Sequence, residues 1–290
     1  MVAKGICCIL LSAFGFALMA MFVRMADGCG GEALPAVQKA FFRNLVAVAI
    51  AGCAWKFGSR GKSRGLDSKL PLRVWKDLIL RAVFGTCGIC MNFYAISHIH
   101  VGDAMALNKT SPFFTLAASW FLLGERVTMR QSLCVLGAFM GAMLVVKPGF
   151  SAGFTFPALI GLASGFCAGM AYAFLHRLGR NGVDGALIVL FFSVFSCVAC
   201  VPFFAFDFHA MNPLQLAALL GAGAGAALGQ FGITWAYRFA EPRQIAVYDY
   251  SGIIFAAALG FLAFGQMPDI LSVLGFAVII CMGFSLHKRS

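Results

Sequence analysis

Ten stretches of about 20 mostly apolar residues follow one another along this chain, and that succession constrains the fold more than anything else in it. A helix rising about 1.5 Å per residue needs about 20 residues to cross the roughly 30 Å core of a bilayer. In lipid every backbone N–H and C=O must be satisfied internally, and helical runs of this length do so. The stretches lie near residues 5–25, 35–56, 78–98, 103–123, 130–147, 157–177, 185–205, 215–238, 244–264 and 269–286. With 61% hydrophobic and 11% charged residues in 290, the chain cannot coat a water-facing surface. An all-α integral membrane protein with ten transmembrane helices is therefore expected. The first run imitates a signal peptide after Met1 to Lys4, but nine similar runs follow it and no small-residue cleavage site stands out, which favours a retained span.

The basic residues orient these spans. Assigning alternate connections to alternate sides puts 17 of the 22 lysines and arginines on one side, including Lys4, the run Lys56 to Arg81, Arg126, Arg130, Arg177, Arg180, Arg238, Arg243, Lys288 and Arg289. The other side keeps only Arg24 and Lys147 near its surface. Basic loops stay in the cytoplasm, so both termini are expected there, in a multi-pass protein of the cell (inner) membrane.

The segment Gly88 to Arg126 returns 141 positions later, without a gap, as Gly229 to Met267. Gly88 matches Gly229, Tyr94 matches Trp235, Phe114 matches Phe255 and Gly124 matches Gly265. A weaker echo joins Ser12, Phe14 and Phe22 to Ser164, Phe166 and Phe174. The ten spans divide five and five at residues 148–156, after Lys147-Pro148-Gly149. Five is odd, so the second copy enters the membrane upside down. Two inverted five-helix repeats, 1–150 and 151–290, are the expected organisation, an arrangement found in secondary transporters. Glycines at helical spacing, among them Gly137 and Gly141, Gly161, Gly165 and Gly169, and Gly221, Gly225 and Gly229, read as places where helices pack closely.

Other classes are disfavoured by what the chain contains. A net charge of +11 suggests nucleic acid, but the basic residues lie between apolar spans and no RNA-binding module accompanies them, so no nucleic-acid partner is expected. Most of the eleven cysteines lie inside apolar runs. Cys87-x-x-Cys90 and Cys197-x-x-Cys200 have redox or metal spacing without nearby ligand partners, and read as small hydrophobes. No Walker motif or glycine-rich phosphate loop is present, and nucleophile, base and orienting acid converge nowhere. Neither catalytic residues, metal nor cofactor are expected.

Residues 101–126, with Gly102-Asp103-Ala104, Ser111-Pro112 and Gly124-Glu125-Arg126, resemble the EamA domain of the drug/metabolite transporter superfamily. Phe41-Phe42-Arg43-Asn44 is similar to that domain's second helix, and Tyr248 to Gln266 to the ninth helix of the pair of domains. Two departures stand out. Gln266 stands where the second copy usually ends in an acidic residue, so an ion pair there is not assumed, and Lys109 stands where many relatives have a small or hydroxyl residue. The resemblance implies a ten-helix carrier of small metabolites with a central cavity lined by both repeats.

A charge inside a span costs about 2.5–3.5 kcal/mol on insertion scales, so each needs a partner or a function. Lys39 and Arg43 share a face of the second span. Counted from Pro35, Lys39 lies roughly 6 Å deep, within snorkelling reach, and Arg43 roughly 12 Å deep, where it faces a cavity or finds a structural partner. Lys109 lies roughly 9 Å below one surface and Asp249 as far above the other. A direct pair would have to bridge roughly 12 Å of depth unless helix breaks or tilt bring them together, so no pair is assumed. Pro112 frees a carbonyl and is placed to kink the fourth span. Asn92, Tyr94, Gln230, Trp235, Tyr248 and Tyr250 complete the candidate substrate site. Asp103, His98 and His100 read as a wet loop.

Three intramembrane cations against one acid favour an anionic or zwitterionic substrate such as an amino acid or organic acid, carried by alternating access. Asp249 is the natural proton carrier, with protons as coupling ion, since burial raises a carboxyl pKa. The expected partners are this substrate and the bilayer, the protein acting as monomer or homodimer. The competing readings are an intramembrane enzyme, a channel-like protein, and a carrier of nucleotide-like or cationic metabolites.

Overall fold

The computed structural model describes residues 1–30, 34–58, 71–99, 101–149, 156–206 and 208–287. His100, the basic residues Arg60, Lys62, Arg64, Lys69, Lys288 and Arg289, and most of the junction between the proposed repeats (150–155) lie outside the described residues.

Every element among the described residues is helical: α1 (Val2–Gly28), α2 (Ala36–Gly58), α3 (Leu72–His98), α4 (Val101–Asn108), α5 (Ser111–Leu123), α6 (Met129–Val146), α7 (Phe156–Arg180), α8 (Gly185–Phe206), α9 (Pro213–Phe239), α10 (Pro242–Ile245), α11 (Ser251–Phe264) and α12 (Ile270–His287). A 3₁₀ stretch, Ala246–Tyr250, joins α10 to α11. Among these residues eight helical segments are long and apolar enough to cross a membrane, and Ile270–Leu286 is a shorter apolar helix. The expected count of ten spans is thus not reached by single helices among the described residues. The fourth is divided into α4, of 8 residues, and α5, of 13.

The division follows from local chemistry. Pro112 has no N–H to offer the carbonyl of residue 108, and the Thr110 hydroxyl donates to the Leu107 carbonyl at 2.5 Å. The backbone tightens there as well, with the Thr110 N–H on the Leu107 carbonyl at 3.2 Å. The ninth span is interrupted at the position 141 residues on, where the 3₁₀ stretch ends at Tyr250. The following ends also match. Gly124 (φ 68°) and Gly265 (φ 67°) both cap their helices in the left-handed region. The next N–H reaches back six residues in each case, Glu125 to Ser119 and Gln266 to Gly260, both at 3.4 Å. Glycine suits these turns because it has no Cβ to clash at positive φ.

α1 lies along α9, α3 along α7, α2 along α8 and α6 along α12. The α1–α9 contact is backbone against backbone. A Cβ added to Gly15 would stand 2.5 Å from the Gly229 nitrogen, and one added to Gly232 would stand 2.7 Å from the Ser12 nitrogen. The Ser12 hydroxyl donates to the Gly229 carbonyl at 2.7 Å across this contact. Gly161, Gly165 and Gly169 of α7 likewise receive Leu107, Thr110 and Phe114 of the divided span. The largest buried cluster, with Ile9, Leu78, Leu175, Leu178, Ile233 and Tyr237, joins α1, α3, α7 and α9.

α1 runs antiparallel to α9, which defines two ends of the bundle. One end gathers the α5–α6 turn with Glu125, the last turns of α7 and α9, and α10, where Arg243 donates to the Arg126 carbonyl at 2.7 Å. The other gathers the last turn of α1, the starts of α2 and α9, and the α11–α12 connection with Gln266. There Asn212 donates to the Cys29 carbonyl at 3.2 Å, and Lys147 pairs with Asp269. Lys147 and Ser272, both bonded to the Asp269 carboxylate, pull its pKa down to about 2, so it stays ionised throughout the physiological range.

Candidate functional site

The central cavity has a volume of about 220 Å³ and is walled by α1, α2, α3, α7, α8, α9 and both interrupted spans. Its polar lining consists of Arg43, Arg81, Asn92, Asn108, Lys109, Ser111, Tyr172, Gln230 and Asp249, with Phe16, Met19 and Phe192 among the apolar groups.

The two interruptions meet here. Lys109 Nζ lies 3.1 Å from Asp249 Oδ2 and 3.3 Å from the Asp249 carbonyl. The Tyr250 hydroxyl donates to the Lys109 carbonyl at 3.0 Å. The pair that simple depth arithmetic disfavoured is therefore formed. A 3₁₀ helix rises about 2.0 Å per residue rather than 1.5, which carries Asp249 deeper, and the four-carbon lysine stem covers much of the remaining distance. Tyr250 is fully buried and holds the break in the fourth span, without itself lining the cavity.

Arg43 is 5% exposed and donates through Nη1 to the Met19 sulfur at 3.3 Å. Its Nε and Nη2 are buried without a hydrogen-bond partner among the described residues. Those two nitrogens form the side of the guanidinium fork that accepts a carboxylate in two parallel bonds. Asn92 Oδ1 and Arg81 Nε are likewise buried and unpartnered. The cavity thus presents several idle donors and one idle acceptor. A buried guanidinium without an anion costs several kcal/mol, and a ligand anion would offset that cost.

Arg81 belongs to this lining, although the sequence pattern assigned it to the basic loop. It is 3% exposed, donates through Nη2 to Gln230 Oε1 at 3.1 Å, and stacks 4.3 Å over the Phe192 ring. The signal was available. Arg81 lies ten residues past Pro71, roughly 15 Å along a helix, by the same count that placed Arg43 inside. The third helix begins at Leu72 and not at 78, and Asp77 inside it lies 3.2 Å from Arg177 of α7.

Of the ten candidate residues, Arg43, Asn92, Lys109, Gln230 and Asp249 converge on the cavity. Lys39 does not; it pairs with Asp27 at 2.5 Å near the Gln266 end, with its ammonium drawn toward the surface. Tyr94 stacks on His98 with ring centroids 4.1 Å apart, and Trp235 is 42% exposed on the outer face beside Phe231. Tyr248 lines a separate apolar groove between α1 and α12 and donates to the Gly283 carbonyl at 2.9 Å. All cysteines among the described residues are free thiols, and no group of three or more metal-ligating side chains occurs among them.

A sequence model of the EamA-like transporter family matches residues 3–147. The chain is 29% identical over 289 residues to the pseudopaline exporter CntI of Pseudomonas aeruginosa strain UCBPP-PA14, covering 99% of this chain and 97% of that protein. It is 25% identical over 224 residues to a riboflavin transporter of Vibrio cholerae, covering 76% of this chain and 74% of that one. Solute carrier family 35 member G1 of Mus musculus is 24% identical over 296 residues, covering 93% and 74%. A protein of known crystal structure superposes with a TM-score of 0.73 over 97% of this chain and 99% of its own, at 17% identity, which establishes a shared fold. With half of its length matched by the family and, among the described residues, eight segments long and apolar enough to cross a membrane, the chain is a multi-pass membrane protein that belongs to the EamA-like transporter family.

Proposed function

We propose that this protein is a secondary transporter that moves a small anionic or zwitterionic metabolite, of the amino-acid or organic-acid class, across the cell (inner) membrane by alternating access. The observation that carries the reading is Arg43, a buried guanidinium on the cavity wall with Nε and Nη2 idle. Arg43 and Arg81 receive the carboxylate and Asn92 a donor of the substrate, with Gln230 fixing Arg81. The volume of about 220 Å³ is below the roughly 300–1,000 Å³ of ordinary ligand pockets, which favours a substrate of few non-hydrogen atoms.

Counting α4–α5 as one crossing and α10–α11 as another gives ten spans, in two inverted repeats of residues 1–150 and 151–290. The matched breaks, the matched glycine turns and the pairing of α1 with α9 and α3 with α7 support this organisation. The distribution of basic residues favours cytoplasmic termini, which puts Glu125 at the cytoplasmic end and Gln266 at the outer end.

Ligand binding to the folded state alone must raise its stability, by about 2.7 kcal/mol at a hundredfold excess over Kd. Purified protein screened by thermal shift against amino acids and mono- and dicarboxylates is expected to show a rise with at least one compound, and Arg43→Gln is expected to abolish it. A shift that survives in both Arg43→Gln and Lys109→Gln places the ligand elsewhere. Asp249 is the proton carrier in this reading, released and reclaimed as Lys109 leaves and returns. In proteoliposomes loaded with the compound so found, Asp249→Asn is expected to retain exchange and lose uptake driven by a pH gradient; persistence of the driven component removes the assignment.

A further inference from the structure

At the Glu125 end a buried polar cluster has no part in the site above. Glu125 is 7% exposed in the α5–α6 turn, and His176 is 3% exposed near the end of α7. His176 Nδ1 lies 2.6 Å from the Tyr237 carbonyl of α9, and Nε2 lies 2.8 Å from Glu125 Oε1. A carbonyl oxygen can only accept, so Nδ1 carries a hydrogen. Nε2 and the carboxylate then face one another, and their contact holds only with one further proton between them. Without it, lone pair meets lone pair.

The opposite end makes the same contact with different chemistry. Arg24 Nη1 donates to Gln266 Oε1 at 2.9 Å. Gln266 is the counterpart of Glu125 in the 141-residue echo, and Arg24 stands 152 positions before His176, the offset that relates Ser12 to Ser164. Each contact ties a residue of 1–150 to one of 151–290. A guanidinium and an amide hold their hydrogens at any physiological pH, so of these two contacts the one at Glu125 depends on a removable proton and the one at Gln266 does not.

We propose that His176 and Glu125 form a proton-binding site that clasps the Glu125 end of the transporter shut, and that loss of the shared proton to the solution at that end releases it. The clasp is closed at lower pH and opens as pH rises. Other charges face the pair from each neighbouring element. Arg180 of α7 lies 3.6 Å from Glu125 Oε1, and Arg177 is held by Asp77 of α3. Arg126 of the turn is bound through its carbonyl by Arg243 of α10, itself 2.5 Å from Glu241, and α9 adds Arg238 and the Tyr237 ring, 6.5 Å from the imidazole. Oε1 thus faces the Arg180 guanidinium as well as the shared proton. When it leaves, Arg180 alone remains on Glu125, while Oε2 is already without a partner among the described residues.

The inference rests on alternating access, and its test needs no substrate, so a flat result leaves the metabolite reading standing. Hydrogen–deuterium exchange of the whole protein in detergent, normalised to unstructured-peptide rates, would be compared at about pH 6 and about pH 8. Segments 124–128 and 174–180 are expected to exchange about tenfold faster at the higher pH, with 265–269 unchanged. Equal normalised exchange at both pH values, or a parallel change at both ends, overturns the proposal. In the double variant Glu125→Gln/His176→Arg, which copies the opposite clasp, the pH difference is expected to vanish. If that variant does not fold, the comparison of the two ends in the unsubstituted protein still decides.

Discussion

Replacing Lys109 by alanine while Asp249 remains is expected to cost about 3–5 kcal/mol of stability, the range found when one partner of a buried ion pair is removed. Both side chains are more than three-quarters buried, at 21% and 14% exposure, so little solvent screening reduces the effect. The loss has two parts. Asp249 loses its counter-ion and must either stay ionised alone or take up a proton, and the amine that braces the carbonyl of the 3₁₀ stretch disappears as well. Charge is the larger part, since replacing a whole buried pair by apolar groups of similar size is often neutral. The double variant Lys109→Met/Asp249→Leu should therefore melt closer to the original protein than Lys109→Ala does. Thermal unfolding of the purified proteins measures this, and a double variant as unstable as the single would show that helix geometry, not the pair, sets the cost.

Gly15→Val is the second change with a large expected effect, a loss of about 3 kcal/mol or more that removes most folded protein from detergent extracts. The new Cβ would meet the backbone nitrogen of Gly229 at 2.5 Å and the carbonyl oxygen of Gly225 at 2.9 Å. Backbone atoms cannot rotate aside as a flexible side chain can. The two helices must separate, which breaks the Ser12 hydroxyl bond and opens the contact along its length. By contrast Gly28→Val meets nothing within 4 Å and is expected to leave monodisperse protein by size-exclusion chromatography. Equal yields of the two variants would mean that α1 and α9 are not locked at Gly15.

The helices themselves were legible in the sequence because apolar length is all that a spanning segment needs, and the depth of Arg43 was legible because Pro35 marks where α2 begins. Arg81 was misread for the opposite reason: Arg73, Lys76 and Asp77 dilute the apolar pattern over the first turns of α3, and only the α7 partner of Asp77 makes that stretch suitable for a helix interior. The Lys109–Asp249 contact depends on two local departures from straight α-helix, each completed by an atom far along the chain, the Tyr250 hydroxyl in one case. Tyr94 and Trp235 could not be sorted from Asn92 and Gln230 by pattern. In lipid the outer face of a helix is as apolar as its packed face, so periodicity no longer marks the inside. His176 carried no signal at all until α7 was seen against the turn at Glu125.

The pairing of α1 with α9 has a consequence for how the protein is made. At about 5–20 residues per second, roughly 10–40 s of synthesis separate the end of α1 from the start of α9. Throughout that interval the glycine face of α1 waits in the membrane or its insertion machinery with nothing to pack against. Assembly of the core is thus loaded toward the end of translation, and a ribosome that stops before α9 leaves the glycine face of its first helix without a partner.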